Sequence, residues 1–201
     1  LKLHFSYYQN RDVIFLAKDL LGKVLCTNID GKFTSGVIVE TEAYSGIQDK
    51  ASHAYAGRRT ARTETMFAQG GISYVYLCYG MHHLFNVVTS VKDEPHAVLI
   101  RAIEPLEGLE TMELRRSMPA SRAAITSGPG SLARALGIDR NFNGKDLTAD
   151  EIWIEDRGKR LAAEDIAATP RVGIAYAQEH AWLPWRYFIK GNRYVSRPNK
   201  I

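Results

Sequence analysis

Two carboxylates and a phenol alternate in Val39-Glu40-Thr41-Glu42-Ala43-Tyr44. The preceding run, Gly36-Val37-Ile38-Val39, reads as a β-strand, and strand side chains alternate between faces. Glu40, Glu42 and Tyr44 therefore leave one face, and Val39, Thr41 and Ala43 the other. A carboxylate beside an aromatic ring at a strand end can hold a planar substrate and do acid–base chemistry on it. The same pattern also describes a strand edge with solvated glutamates, because exposed Glu is ordinary.

A second group is Tyr74, Tyr76 and Tyr79. Tyr74 and Tyr76 share a strand face and fit a core aromatic stripe. Tyr79 has the opposite parity and sits where Gly80 turns the chain, so it is expected at a hairpin tip. An aromatic wedge on a protruding turn can enter a base stack and hold a nucleotide out of the duplex. His53 reads either as a packed loop histidine or as the cap of an aromatic pocket, and Asn86 either as a satisfied core amide or as a group that tests base edges. Arg58, Arg59, Arg62, Arg115, Arg116, Arg122 and Arg134 are ordinary surface charges one by one. With Gly128-Pro129-Gly130 opening a helix, they could together line a phosphate track. His82, His83 and His96 lack metal-ligand spacing, and two cysteines cannot make a zinc site unaided, so no metal is expected.

These residues need elements to place them. Residues 11–22 carry apolar positions at helical spacing, with Gly22 as a stop. Lys23 to Asn28 reads as a strand and Asp30-Gly31 as a hairpin turn into Lys32 to Tyr44. Residues 45–71 form a long loop, of the kind that is functional or disordered. Ile72 to Tyr79, His83 to Val91 and Ala97 to Ile103 read as strands, and Pro105 as the start of a helix reaching about Ser117. A short helix follows at Ser131 to Leu136, then short strands at Ile152 to Ile154, Val172 to Tyr176 and Trp185 to Lys190, and a frayed tail from Arg197 to Ile201. Hairpins and helices without βαβ alternation predict a single α+β domain, residues 1–201, around an antiparallel sheet.

Composition fits that reading. The 201 residues are 45% hydrophobic, enough for a core, and the 24% charged residues include no low-complexity tract. The formal charge of +4 suits a polyanionic partner or a slightly basic soluble protein. Cys26 and Cys78 lie in apolar runs, and two buried thiols point to a reducing compartment. With no apolar run of membrane-spanning length and no secretory signal, the expected setting is soluble and intracellular, in cytoplasm and nucleoid for a bacterium or the nucleus for a eukaryote.

Taken in order, Glu40-Thr41-Glu42-Ala43-Tyr44, His53, Tyr74-Val75-Tyr76-Leu77-Cys78-Tyr79-Gly80-Met81, Asn86, Arg101-Ala102-Ile103-Glu104-Pro105-Leu106-Glu107-Gly108, Ser127-Gly128-Pro129 and Arg171-Val172-Gly173 closely resemble the alkyladenine (3-methyladenine) DNA glycosylase family of the mammalian N-methylpurine type. The resemblance runs from about Ile14 to Ser196. It implies a mixed domain with a curved antiparallel sheet, flanking helices and a protruding hairpin. It also implies a monomeric, monofunctional enzyme without cofactor. Such an enzyme flips a damaged purine from double-stranded DNA and hydrolyses its glycosidic bond, leaving an abasic site. Carried over, Glu42 orients the attacking water, assisted by Arg101 and the backbone of Val172. Tyr44 stacks on one face of the base, with His53 and Tyr76 on the other. Asn86 crowds the amino group of guanine, Tyr79 is the wedge, and Met81 flanks it. The sequence departs from better-known members at His82 and in a longer turn at Lys92–Pro95, both placed near the hairpin.

The implied chemistry suits these residue types. Purine release passes through an oxocarbenium-like sugar, so one carboxylate suffices when the leaving base is already cationic. A neutral lesion such as hypoxanthine needs a further proton donor, for which Glu40, ~7 Å from Glu42 along an ideal strand, is a poor candidate. For DNA contact the expected residues are Arg58, Arg59, Arg122, Gly128 and Gly130. A free-nucleoside hydrolase would not need Tyr79 or the arginines, and a non-catalytic module for distorted duplex would not need Glu42.

Overall fold

The computed structural model describes residues 1–196, and the tail expected to fray from Arg197 lies outside them. In chain order the elements are α1 (Phe5–Tyr8), α2 (Val13–Asp19), β1 (Val24–Ile29), β2 (Lys32–Ser45), β3 (Ser73–Cys78), β4 (His82–Thr89), β5 (His96–Glu107), α3 (Leu109–Arg116), α4 (Pro129–Leu136), β6 (Ile152–Glu155), β7 (Ile166–Thr169) and β8 (Arg186–Ile189). The antiparallel sheet runs β3-β4-β5-β2-β1-β6, and β8 joins β2 to β7. The α+β class and the curved antiparallel sheet are therefore as expected. No helix among the described residues is long and apolar enough to cross a membrane.

Local chemistry explains the early elements. The Asp12 side chain accepts a hydrogen bond from the Phe15 amide at 2.8 Å and caps α2, whose Val13, Leu16 and Ala17 face the core. Asp30 (φ 53°) and Gly31 (φ 73°) make the tight turn between β1 and β2, which sets Ile29 opposite Lys32.

β2 is the axis of the sheet. Its first half lies against β1, and Glu40, Thr41 and Glu42 lie against β8. Its pairing with β5 is irregular where it matters: Ile38 pairs with Ile103 and Glu40 with Ala102, leaving Val39 over on β2. Thr41 pairs with Ile100, leaving Arg101 over on β5. Paired irregularities of this kind bend a sheet and re-aim side chains. On one face Ile38, Ala43, Val87, Val98 and Ile100 pack with Leu16 of α2, with Leu20 just after it, and with Leu132 and Leu136 of α4. Thr41 Oγ1 ties that face to α2 by donating to the Ala17 carbonyl at 2.6 Å. The opposite face carries Glu40, Glu42 and Tyr44.

Three expectations need correction, and one strand was missed. Pro105 does not start a helix: β5 continues to Glu107, and α3 begins after Gly108, at φ 74°. Past Leu99, β5 has no β4 partner, so a residue without an amide proton is tolerated on its open side. Val172 to Tyr176 is not a strand; Gly173 (φ 76°) breaks the extension, and a 3-10 helix follows at Ala175–Trp182. The β7 strand was not foreseen. The Lys92–Pro95 turn is not near the hairpin tip but at the other end of β4, where the Asp93 amide donates to the Phe67 carbonyl.

The hairpin itself protrudes because β4 pairs with β5 only over Asn86–Thr89, while its first half pairs with β3 alone. At its tip Tyr79 (φ 49°) and Gly80 (φ 69°) reverse the chain, and the Met81 amide donates to the Cys78 carbonyl at 3.1 Å.

Candidate active site

Sheet register brings the separate motifs together. Tyr74 pairs with Asn86, Asn86 with Leu99, Leu99 with Glu42, and Glu42 with Arg186. One row across five strands therefore links Tyr74, Asn86 and Glu42. Beside that row opens a cavity of about 660 Å³, lined among others by Tyr44, His53, Tyr76, Asn86, Arg101 and Val172.

Glu42 is fully buried, which rules out a solvated strand edge. Its Oε1 accepts from the Val172 amide at 2.7 Å, and Arg101 Nη1 stands 3.3 Å from the same oxygen. Its Oε2 accepts from the Tyr44 hydroxyl at 2.8 Å. An ionised carboxylate offers about four lone-pair sites, so Oε2 keeps room for one more donor, such as a water. Tyr44, Arg101 and Val172, the three residues that contact Glu42, line the cavity, and Glu42 lies behind them. Burial, reinforced by the Glu42 charge, holds the Tyr44 phenol well above its ordinary pKa, so it stays a donor.

Two further carboxylates are buried around Glu42. Glu40 accepts from Arg101 Nε at 2.8 Å, Arg186 Nε at 2.7 Å and the Ser196 amide at 2.7 Å. Burial alone would raise its pKa, but the Arg101 and Arg186 charges and the Ser196 bonds outweigh that and hold it below the usual value. Asp49 is clasped by Arg171, whose Nη1 also donates to the Ala43 carbonyl at 2.8 Å and whose guanidinium lies 4.8 Å from the Tyr44 ring and 5.0 Å from the Trp185 ring. Asp49 also accepts from the Ser45 and Ala51 amides, bracing the loop that leads to His53. Asp49, Arg186 and Ser196 were not singled out from the sequence, and Arg171 only as part of the Arg171-Val172-Gly173 motif, with no role. Only the register and the loop path reveal their partners.

The other wall is aromatic. His53 Nδ1 lies 3.0 Å from the Tyr74 hydroxyl, its ring meets Tyr76 edge-on with centroids 4.7 Å apart, and Arg62 lies 5.1 Å from the Tyr76 ring. Burial, with help from the Arg62 and Arg58 charges, lowers the His53 pKa to about 4, so the ring is neutral near pH 7. Asn86 is buried with its Nδ2 donating to the Tyr74 carbonyl at 3.0 Å, while it also lines the cavity. Asn86 is thus a satisfied amide that also borders the cavity.

At the mouth, Tyr79 is 84% and Met81 72% exposed, with Leu77 beside them half exposed. Apolar groups gathered on a projecting turn mark an interaction site. The hairpin packs on α4 close to its tip: a Cβ at Gly130 would come within 2.8 Å of the His82 ring, so only glycine allows this approach. Gly128 and Gly130 border the cavity. Arg58 and Arg122 are exposed, whereas Arg59 is taken up by Glu64 and Asp93. Arg62 borders the cavity as well. Among the described residues no group of three or more His, Cys, Asp or Glu side chains could hold a metal ion. Both cysteines are free thiols; Cys26 is buried, but Cys78, expected to be buried, is only half so, next to the hairpin tip.

The chain was compared with known proteins. The family description "Methylpurine-DNA glycosylase (MPG)" matches residues 7–193. A Chlamydia abortus protein is 49% identical over 185 residues, covering 92% of this chain and 96% of its own. A Chlamydia felis protein is 49% identical over 197 residues, 98% of each chain, and a Desulfitobacterium hafniense protein 45% identical over 196 residues, 94% of this chain and 96% of its own. All three bear the name "Putative 3-methyladenine DNA glycosylase". A match over nearly the whole length, with the motif residues gathered at one cavity, leads to one conclusion: the chain belongs to the methylpurine-DNA glycosylase family.

Proposed function

We propose that the chain acts as one monofunctional DNA-repair glycosylase domain that takes alkylated or deaminated purines out of duplex DNA and hydrolyses the N-glycosidic bond. The observation that carries this reading is Glu42: a fully buried carboxylate fixed by Val172, Arg101 and Tyr44, three residues that line an aromatic cavity, with one acceptor position left by those bonds. Glu42 orients a water toward the sugar carbon as positive charge develops there. Arg101 and the Val172 backbone fix the carboxylate and the water. Tyr44 stacks on one face of the base, and His53 and Tyr76 close the other, at about 1–3 kcal/mol per stacked base. Asn86 discriminates against the guanine amino group. Tyr79, flanked by Met81, fills the space left in the duplex. Arg58, Arg59, Arg122 and the Gly128 and Gly130 backbone meet the phosphates. No cofactor enters the reaction. The enzyme works as a monomer inside the cell, on double-stranded DNA.

A neutral His53 matters here, because it adds no charge repulsion against a cationic alkylpurine. The direct test incubates the protein with duplexes holding one 1,N6-ethenoadenine, one hypoxanthine or one 3-methyladenine analogue, followed by alkali. Strand cleavage at the lesion only after alkali supports the reading. Cleavage without alkali contradicts monofunctional action, and release of bases from free nucleosides alone would favour a nucleoside hydrolase.

A further inference from the structure

Glu40 lies two residues before Glu42 on the same face, and neither borders the cavity, but Glu42 touches three residues that do, Tyr44, Arg101 and Val172, whereas Glu40 touches only Arg101 among them. Its one link to the cavity is Arg101. Even so, it is fully buried and gathers four donors: Arg101 Nε at 2.8 Å, Arg186 Nε at 2.7 Å, Ser196 Oγ at 2.9 Å and the Ser196 amide at 2.7 Å. A buried ion pair is a weak device for stability, since well-packed apolar residues of similar size do as well or better. Stability alone therefore does not account for an acid at this place.

Arg101 supplies the reason. It is the residue left over in the β5 irregularity, so the ladder does not set its direction. Each of its three nitrogens has its own neighbour. Nε donates to Glu40, Nη2 donates to Ser196 Oγ at 3.2 Å, and Nη1 stands 3.3 Å from Glu42 Oε1. A guanidinium is planar and rigid, so fixing two nitrogens fixes the third. If Glu40 did not hold Nε, Glu42 would be the nearest remaining carboxylate. Arg101 and Glu42 would then close into a two-bond pair, the favoured geometry for these groups. That pair would take the Glu42 acceptor position a water needs.

We infer that Glu40 is a positioning residue, which with Ser196 holds Arg101 so that a single N–H edge faces Glu42 and one acceptor position of that carboxylate is left for the attacking water. The inference rests on the proposed role of Glu42. It adds that the second glutamate of the strand acts through Arg101, and that Ser196, far along the chain, latches the site.

The test measures two quantities on one ethenoadenine duplex: single-turnover excision rate at saturating protein, and lesion-duplex affinity. For Glu40→Gln the expected result is an excision rate about 100-fold lower, the scale of a misplaced catalytic group, with affinity within about threefold of the parent. A merely structural role would lower rate and affinity together, in proportion to the folded fraction. Parent-like excision by folded Glu40→Gln overturns the inference. If Glu40→Gln does not fold, Ser196→Ala decides, since it removes the Oγ contacts to Arg101 and Glu40 but keeps the amide bond. An excision rate about tenfold lower at unchanged melting temperature supports the latch, and an unchanged rate overturns it. Absence of excision by the parent protein would instead count against the proposed function, so the two failures are told apart.

Discussion

The floor of the cavity and the tip of the β3–β4 hairpin are built on opposite terms. At the floor Glu40, Glu42, Asp49, Arg101, Arg171 and Arg186 are all buried, and three acids face three guanidiniums. At the tip Leu77, Tyr79 and Met81 stand in solvent, and Tyr79 holds a left-handed φ of 49° that costs a non-glycine residue about 1 kcal/mol or more. Groups that must keep their geometry while bonds change are fixed from several sides, at the cost of desolvating charge. Groups that meet a partner only on binding are left unpacked, at the cost of exposed apolar surface. Mutations should therefore separate: floor changes cost folding and rate, tip changes cost binding alone.

The largest stability effect is expected at Asp49. Asp49→Asn leaves Arg171 buried with its ion pair broken, which costs about 3–5 kcal/mol by urea unfolding and loosens Tyr44 and the Val172 amide together. A loss below about 1 kcal/mol would show the floor to be less tightly fixed than its contacts indicate. Tyr79→Gly sharpens the contrast. Lesion-duplex binding should weaken by about tenfold or more, through loss of a stacking group, while folding stability stays level or rises by up to about 1 kcal/mol. A marked fall in stability would mean that the tip is packed after all. Asn86→Ser lies between the regions and should raise excision of alkylated guanine by about three- to tenfold relative to ethenoadenine, the scale of a small steric change in a pocket. Unchanged selectivity would leave Asn86 as a partner of the Tyr74 carbonyl only. The smallest effect concerns His53. Its lowered pKa means that the unfolded chain takes up the proton first. Its stabilising contribution is then complete above the ordinary 6.5 and is lost as pH falls toward about 4. Its imidazole NMR shifts should stay flat from pH 8 to 5, and a midpoint near 6.5 would contradict a buried neutral ring.

Much of the frame could be read in the sequence because its signals are local. Parity placed Glu40, Glu42 and Tyr44 on one face, Asp30-Gly31 marked its turn, and Tyr79-Gly80 marked the hairpin tip. The partners of these residues could not be read, because register and irregularity are set by tertiary packing. Nothing near Arg101 announces that the ladder skips it, and nothing near Asp49 or Arg171 announces that they meet across 122 residues. Pro105 misled for a related reason: whether a strand can hold proline depends on whether its neighbour has already ended.

The central claim is that Glu42 activates water and does not serve mainly to hold DNA. Glu42→Gln keeps shape and packing while removing the charge, so single-turnover excision from an ethenoadenine duplex and affinity for the same duplex can be read side by side. The expected result is a loss of at least about 1,000-fold in excision, within the range for removal of a general base, with lesion-duplex affinity kept within about threefold. Excision near the parent rate, or parallel loss of excision and binding, would contradict the account.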